Sequence, residues 1–258
     1  MQFFYTTGRK LTLSISHMAV MIILLACGNP GGHEEESQDS ANEEGWELLF
    51  DGKSTTGWRA INLKTFPMQG WRIENGNLVL NAGDEIESGK SRDIITTEEY
   101  GDFVLDWEWK MQTKGGNSGV KYFVKEDVPG NEKYGPGLEY QILDDENHPW
   151  MLEGKMQPGD FHTMASLYEI YAAENTSPKP LGEWNHSQIL ANGSHVEHWL
   201  NHVKVLEYER GSEDFRKKVA VSKFAKYENF GEAPRGHILL QDHGSKIVFR
   251  NIRIKELD

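Results

Sequence analysis

A strand with a polar residue at every second position presents two functional groups side by side, and three segments of this chain do so. In Leu138-Glu139-Tyr140-Gln141-Ile142-Leu143-Asp144, Glu139 and Gln141 share one face while Leu138, Tyr140 and Ile142 share the other. Asp106 and Glu108 pair in the same way on the tryptophan-rich segment 103–110, and Gln241 and His243 pair at the end of segment 237–243. If these strands are neighbours in one sheet, that face carries carboxylates, amides and imidazoles. Glu, Gln and Asn make bidentate hydrogen bonds with hydroxyls, and aromatic rings stack on the C–H faces of pyranoses. Such a face in an otherwise apolar cleft suits a sugar. A single strand glutamate is ordinarily a solvated one; its pairing with Gln141 beside aromatic-rich strands makes Glu139 a candidate.

Other chemistries find less support. His148, His162, His186, His195, His198, His202 and His243 are too scattered for a metal motif. His195 and His198 lie three apart on a segment that reads as strand, which puts them on opposite faces. A divalent cation held by carboxylate oxygens and histidine nitrogens stays open, its identity unknown. There is no Walker loop, no dinucleotide fingerprint and no nucleophile elbow. Gly115-Gly116-Asn117-Ser118-Gly119 lies between two strands rather than ahead of a helix, so it reads as a hairpin connection and not a phosphate cradle.

The elements that must position these groups are short strands. Trp71-Arg-Ile-Glu-Asn75-Gly76-Asn-Leu-Val-Leu80 reads as a hairpin, with Asn-Gly supplying the positive φ angles of a type I′ turn. In 102–112, Phe103, Leu105, Trp107 and Trp109 point one way and Val104, Asp106, Glu108 and Lys110 the other, the mark of a half-buried strand. Further strands are expected over 119–125, 138–143, 167–172, 185–191, 196–200, 203–208, 237–241 and 246–254. Only 212–224 reads as a helix, with Ser212 as N-cap and Phe215 and Val219 on one side. Roughly ten antiparallel strands with frequent turns predict an all-β, two-sheet jelly-roll sandwich rather than a barrel or propeller. Most of the eight tryptophans then belong to its core.

The N-terminus is of another kind. Residues 1–10 end in Arg9 and Lys10, and 11–26 are largely apolar and carry no formal charge. That is a signal peptide over 1–26 rather than a membrane span. It runs into Leu24-Leu25-Ala26-Cys27-Gly28, which resembles a bacterial lipobox, so cleavage and lipidation are expected at Cys27. Cys27 is the chain's only cysteine. Its consumption removes thiol catalysis and disulfides. Residues 27–44 are acidic and almost devoid of apolar side chains, a disordered tether. Its acidity resembles the surface-export signals of some lipoproteins, and a solvated spacer reads equally well. The folded domain is expected over 45–258, lipid-anchored in the cell envelope, facing the periplasm or the surface. The whole chain has formal charge −13; loss of Arg9 and Lys10 leaves 25 basic residues against 40 acidic, or −15. Such a domain repels nucleic acid and anionic membranes, which leaves the lipid as its membrane link.

A family resemblance rests on motifs spread over residues 46–257. Leu48-Leu49-Phe50-Asp51-Gly52-Lys53 with Gly57-Trp58 opens the pattern, and Gly115-Gly116-Asn117-Ser118-Gly119 continues it. Glu139-Tyr140-Gln141-Ile142-Leu143-Asp144, Gly182-Glu183-Trp184-Asn185 and His198-Trp199-Leu200-Asn201 follow. Ile238-Leu239-Leu240-Gln241-Asp242-His243-Gly244 and Phe249-Arg250-Asn251-Ile252-Arg253-Ile254 close it. Together they resemble the 3-keto-disaccharide hydrolase domain family. His202 departs from the pattern, at a turn position where the family usually has glycine.

The resemblance implies a concanavalin-like, laminin-G-like jelly-roll and a hydrolase or lyase acting on glycosides oxidised at C3. A C3 ketone acidifies the C2 proton, a carboxylate or imidazole removes it, the C1 substituent leaves, and water adds. No nucleotide is needed; a divalent metal or a histidine could stabilise the enolate. In these terms Glu139 is the candidate base and His148 the candidate acid or electrophilic partner. Glu108, Asn117, Gln141, Asp144, Tyr168, Asn185, His198, Gln241 and His243 are candidates for sugar or metal contacts. Asn185 could instead cap a turn. Conventional two-carboxylate hydrolysis, a non-catalytic carbohydrate-binding module and a ligand-free surface lipoprotein are the alternatives.

Overall fold

Every strand pair in the computed structural model is antiparallel, and the pairs build two sheets packed face to face. The structure describes residues 44–67, 69–81, 92–126, 128 and 135–258. The expected signal peptide (1–26), Cys27 and, apart from Glu44, the tether (27–44) lie outside the described residues. The larger sheet contains β1 (Glu47–Leu48), β3 (Trp71–Glu74), β4 (Asn77–Leu80), β6 (Phe103–Met111), β9 (Asn185–Asn192), β10 (His195–Leu200), β11 (Val203–Glu209) and β13 (Ile247–Glu256). Its order is β11-β10-β9-β6-β13-β4-β3, with β1 also on β13. The smaller sheet contains β2 (Trp58–Ala60), β5 (Ile94–Thr96), β7 (Asn117–Val124), β8 (Leu138–Leu143) and β12 (His237–Leu240), in the order β2-β5-β12-β7-β8. This is the all-β jelly-roll sandwich that the alternating pattern predicts.

The alternation of β6 decides which side is core. Phe103, Leu105, Trp107 and Trp109 are buried between the sheets, where full burial of a large apolar side chain contributes about 1.5–3 kcal/mol. Trp107 meets Tyr140 of β8 edge-to-face, ring centres 5.1 Å apart. Ser187 Oγ takes the indole N–H of Trp109 at 2.9 Å and lies 2.9 Å from Tyr140 Oη, so this polar tie across the core is satisfied. The β3–β4 turn has positive φ at Asn75 and Gly76, as Asn-Gly predicts. Asn201 and His202 also have positive φ in the β10–β11 turn. His202 tolerates that conformation while its ring stacks on His186, centres 4.5 Å apart.

The smaller sheet is buried on both faces along β7 and β8, which requires a third layer. Part of that layer is an apolar satellite of Ile61, Ile95, Val124 and Leu239 at one end of the outer face. The rest comes from connecting segments over the other end. Residues 165–168 run beside the β8 edge: Ala165 N–H donates to Gln141 O, Gln141 N–H to Ser166 O, and Tyr168 N–H to Glu139 O. The second cover follows α2 (Glu213–Val221), where Ser222 ends the helix and its Oγ accepts from Phe224 N–H to start a 3-10 turn over Lys223–Lys226.

Three expectations change. The helix predicted over 212–224 stops at Val221 because Ser222 turns the backbone to an extended conformation. Residues 167–172 are not a strand, since positive φ at Ala165 and Glu169 curls the chain, and Leu167 is held by isolated bridges to Tyr140 and Tyr171. The 115–119 segment is not a hairpin connection, because β6 and β7 belong to different sheets and the chain crosses between them.

Candidate functional site

Gly119 is the pivot of the polar half of the small sheet's outer face. On β7, Asn117, Gly119 and Lys121 alternate with the inward Ser118, Val120 and Tyr122. Lys121 pairs with Glu139 of β8, and Gly119 with Gln141. Gln241 follows β12 and donates its backbone N–H to Gly119 O at 3.0 Å. A Cβ on Gly119 would lie 2.8 Å from Glu139 Oε1 and 3.1 Å from Gln241 Oε1, so the two side chains lean over β7 from opposite flanks. Glycine is required here by close approach rather than by φ.

The resulting cavity has a volume of about 610 Å³. Its floor holds Glu139, Gln141, Lys121, Asn117 and Gln241, and its walls include His148, Trp150, His162, Tyr168, Lys223 and Tyr227. Glu139 is 7% exposed. Burial pushes its carboxyl above the usual carboxylate range, opposed by Lys121 and Lys223 and assisted by Asp93. Asn117 Oδ1, Gln141 Oε1 and Gln241 Oε1 are buried and have no hydrogen-bond partner within the described chain. Three such atoms in one cleft fit a polar ligand, since buried amide oxygens are rarely left unmatched.

The walls are fixed by their own hydrogen bonds. His148 caps the short helix α1 (Pro149–Leu152), its Nδ1 accepting from Trp150 N–H at 3.3 Å. That bond leaves the proton of the neutral ring on Nε2, and burial holds the ring's pKa below the usual histidine value. His162 is gripped by Asp160 at 2.6 Å on Nδ1 and by Glu169 at 3.2 Å on Nε2. Lys223 lies 4.1 Å from the ring centre of Tyr168 and 3.8 Å from Glu169. Burial, with Glu139, Glu169 and Asp160, pushes the Tyr168 phenol up to about 12. A buried Arg92–Asp242 ion pair fixes the turn that carries Gln241 and His243. His243 sits exposed at the rim, where partial desolvation by the cleft and then Lys121 lower its pKa.

Of the residues singled out from sequence, Glu139, His148, Asn117, Gln141, Tyr168, Gln241 and His243 all line this cleft. Asp144 stands just behind it, accepting from Gly115 N–H at 2.8 Å and from the Asn147 amide, and so shapes the turn before His148. Three do not belong to it. Glu108 lies on β6 in the other sheet and accepts from Arg250 and Asn251. Asn185 is buried, its Oδ1 accepting from Lys179 N–H and the Asn201 amide, which is the turn-capping role. His198 is 0% exposed between the sheets, its Nδ1 on Ala165 O and its Nε2 on Tyr122 Oη, both at 2.8 Å. Burial pushes that ring down to about 4, and its bond to Ala165 ties it to the cleft wall from behind.

Lys121, Lys223, His162 and Trp150 line the cleft and were not picked out from sequence as site residues. Lys121 was legible by its parity with Asn117 and Gly119; Lys223 was not, since only the break at Ser222 brings it over the sheet. Among the described residues, one histidine–carboxylate group is tight enough to share a cation: His195, Glu197 and Glu207. It lies on β10–β11, away from the cleft, and Lys204 already pairs with both glutamates.

Residues 45–255 match the model of the 3-keto-alpha-glucoside-1,2-lyase-like domain. A 3-keto-disaccharide hydrolase from Bacteroides thetaiotaomicron is 36% identical over 235 residues, 83% of this chain and 79% of the relative. The crystal structure of a candidate glycosyl hydrolase from Parabacteroides distasonis is 38% identical, with a TM-score of 0.72, over 83% of this chain and 95% of that one. A second candidate glycosyl hydrolase from the same organism is 29% identical, with a TM-score of 0.61, over 82% and 99%.

Proposed function

This chain belongs to the 3-keto-alpha-glucoside-1,2-lyase-like domain family and is a carbohydrate-degrading hydrolase or lyase, and from that premise we propose that its cleft cleaves 3-keto-glycosides by elimination and hydration. Glu139 takes the C2 proton of the bound 3-keto sugar. The C2–H electron pair becomes a C2=C3 bond and the carbonyl pair moves onto the C3 oxygen. When that pair returns, the C1–O bond breaks, C1=C2 forms and the departing oxygen takes up a proton. Water then adds at C1, releasing a proton, and Glu139 returns its own to C2. The net change is hydrolysis, with no oxidant or reductant consumed.

One observation carries this reading: among the described residues Glu139 is the only carboxylate lining the cleft. Conventional glycosidases need two carboxyl groups on opposite sides of the bond, whereas elimination needs one base. Burial raises the affinity of Glu139 for a proton, which suits a carboxylate that must remove hydrogen from carbon. Asn117, Gln141 and Gln241 supply hydroxyl contacts, and neutral His148 offers its Nε2–H to the departing oxygen. Trp150, 45% exposed at the lip, gives a face for the second half of the substrate.

The purified protein is expected to release the C1 substituent from a 3-keto-α-glucoside and leave the parent glucoside intact. Cleavage of the parent would point to conventional hydrolysis, and sugar binding without cleavage of either to a binding module. For location, the apolar leader and Cys27 support an envelope lipoprotein. Mass spectrometry of the mature N-terminus should find diacylglycerol on Cys27, and an unmodified thiol would end that reading.

A further inference from the structure

We propose that the Lys121 ammonium is the catalytic cation that meets the enolate oxygen formed at C3; this rests on the elimination reading above. Proton abstraction at C2 moves charge onto an oxygen two bonds away. Base and stabilising cation must therefore stand side by side, a few ångströms apart. Lys121 and Glu139 are placed for this, as directly opposed residues on the adjacent strands β7 and β8 that both line the cleft. Directly opposed strand residues have Cβ atoms about 4.5–5.5 Å apart, so the two side chains rise from neighbouring points of the cleft floor.

The cleft's charge runs against that of the molecule. The chain carries −13 overall, yet the described lining of the cleft has three lysines, Lys121, Lys223 and Lys226, and one carboxylate. A neutral sugar gains little from such a lining in its ground state, whereas an enolate gains much. Lys223 and Lys226 are drawn to the walls, over the rings of Tyr168 and Tyr227. Lys121 is the lysine of the floor, 8% exposed, where exclusion of water strengthens its attraction for a developing oxyanion. It also acts electrostatically on Glu139 and His243. Removing it therefore has two effects that a pH profile separates.

The test compares Lys121→Met and Lys121→Gln with the wild type on a 3-keto-α-glucoside, across pH, with deuterium uptake at C2 as a second readout. Wild-type cleavage with deuterium uptake establishes the elimination reading by itself, and its failure would sink that reading rather than the role of Lys121. In a folded variant, the high-pH plateau of kcat and the rate of C2 exchange should both fall by about 10²- to 10³-fold. If Lys121 only tunes Glu139, the acidic limb will move to higher pH while the plateau stays within about threefold of wild type, which overturns the assignment. Thermal melting shows which variant is folded, and either one decides the question.

Discussion

The outer faces of the two sheets carry similar residues and end in different states. On the large sheet, Glu108 is met by Arg250 and Asn251, and Asp106 by Arg253 and His186. On the small sheet, Glu139 is buried among lysines, and three amide oxygens around it have no partner within the described chain. Both faces grow from the same strand pattern, a carboxylate two residues from a second polar group. What separates them is how far the carboxylates and amides are matched, although His186 Nδ1 on the large sheet also has no partner within the described chain. A carboxylate matched by guanidinium holds a sheet together, while one buried beside unmatched amides under a cavity has capacity left for a ligand.

The sharpest break of that contrast is a pair of identical substitutions. Glu139→Gln should lower turnover of a 3-keto-glucoside by about 10³-fold with little loss of melting temperature. Glu108→Gln should leave turnover within about twofold and lower stability by about 1 kcal/mol, since it weakens a partly exposed ion pair. Equal losses of turnover in the two variants would erase the distinction. Next in size is Gly119→Ala, whose Cβ would press on the carboxylate of Glu139 and the amide of Gln241. Kinetics should show a drop of about 10- to 100-fold in kcat, the scale of a small misplacement of reacting groups. An alanine variant with unchanged kcat would mean that the convergence over β7 is not needed.

The smallest effect concerns stability and the residue that holds the cleft wall from behind. His198 has a folded-state pKa of about 4 against an ordinary 6.5, so below 6.5 the unfolded chain takes a proton that the folded chain refuses. Its contribution is whole above pH 6.5 and is lost as pH falls toward 4, on the order of 3 kcal/mol in all. Asp145 acts with the opposite sign, because burial raises it to about 6 and the folded chain holds its proton between 3.8 and 6. The measurement is therefore the difference in unfolding free energy between wild type and His198→Gln. That difference should shrink from pH 7 to pH 4.5, and a constant difference would exclude a neutral buried ring.

Sequence alone determined the long strands and the family, but not the short strands β1, β2 and β5 or the helix α1. Period-two alternation on β6 and β8 and the Asn75-Gly76 turn specify strands, and on β6 the apolar face must meet the core, so a slip by one residue would be punished. The same parity put Glu139 with Gln141 on a shared face, whereas Gln241 and His243 lie in the turn after β12 and reach the cleft from there. Only tertiary structure decided which faces meet. Glu108 has the same local pattern as Glu139, but its strand went to the other sheet, and no local signal records which sheet a strand joins. His198 and Asn185 sit in family motifs as polar residues of unspecified use, and burial between the sheets and at a turn made them structural. Lys121 and Lys223 gain meaning only beside Glu139, one from across a strand pair and the other from a turn 84 residues on in sequence. Local pattern fixes where a side chain points on its own strand; long-range packing fixes what it points at, and the chemistry depends on the second.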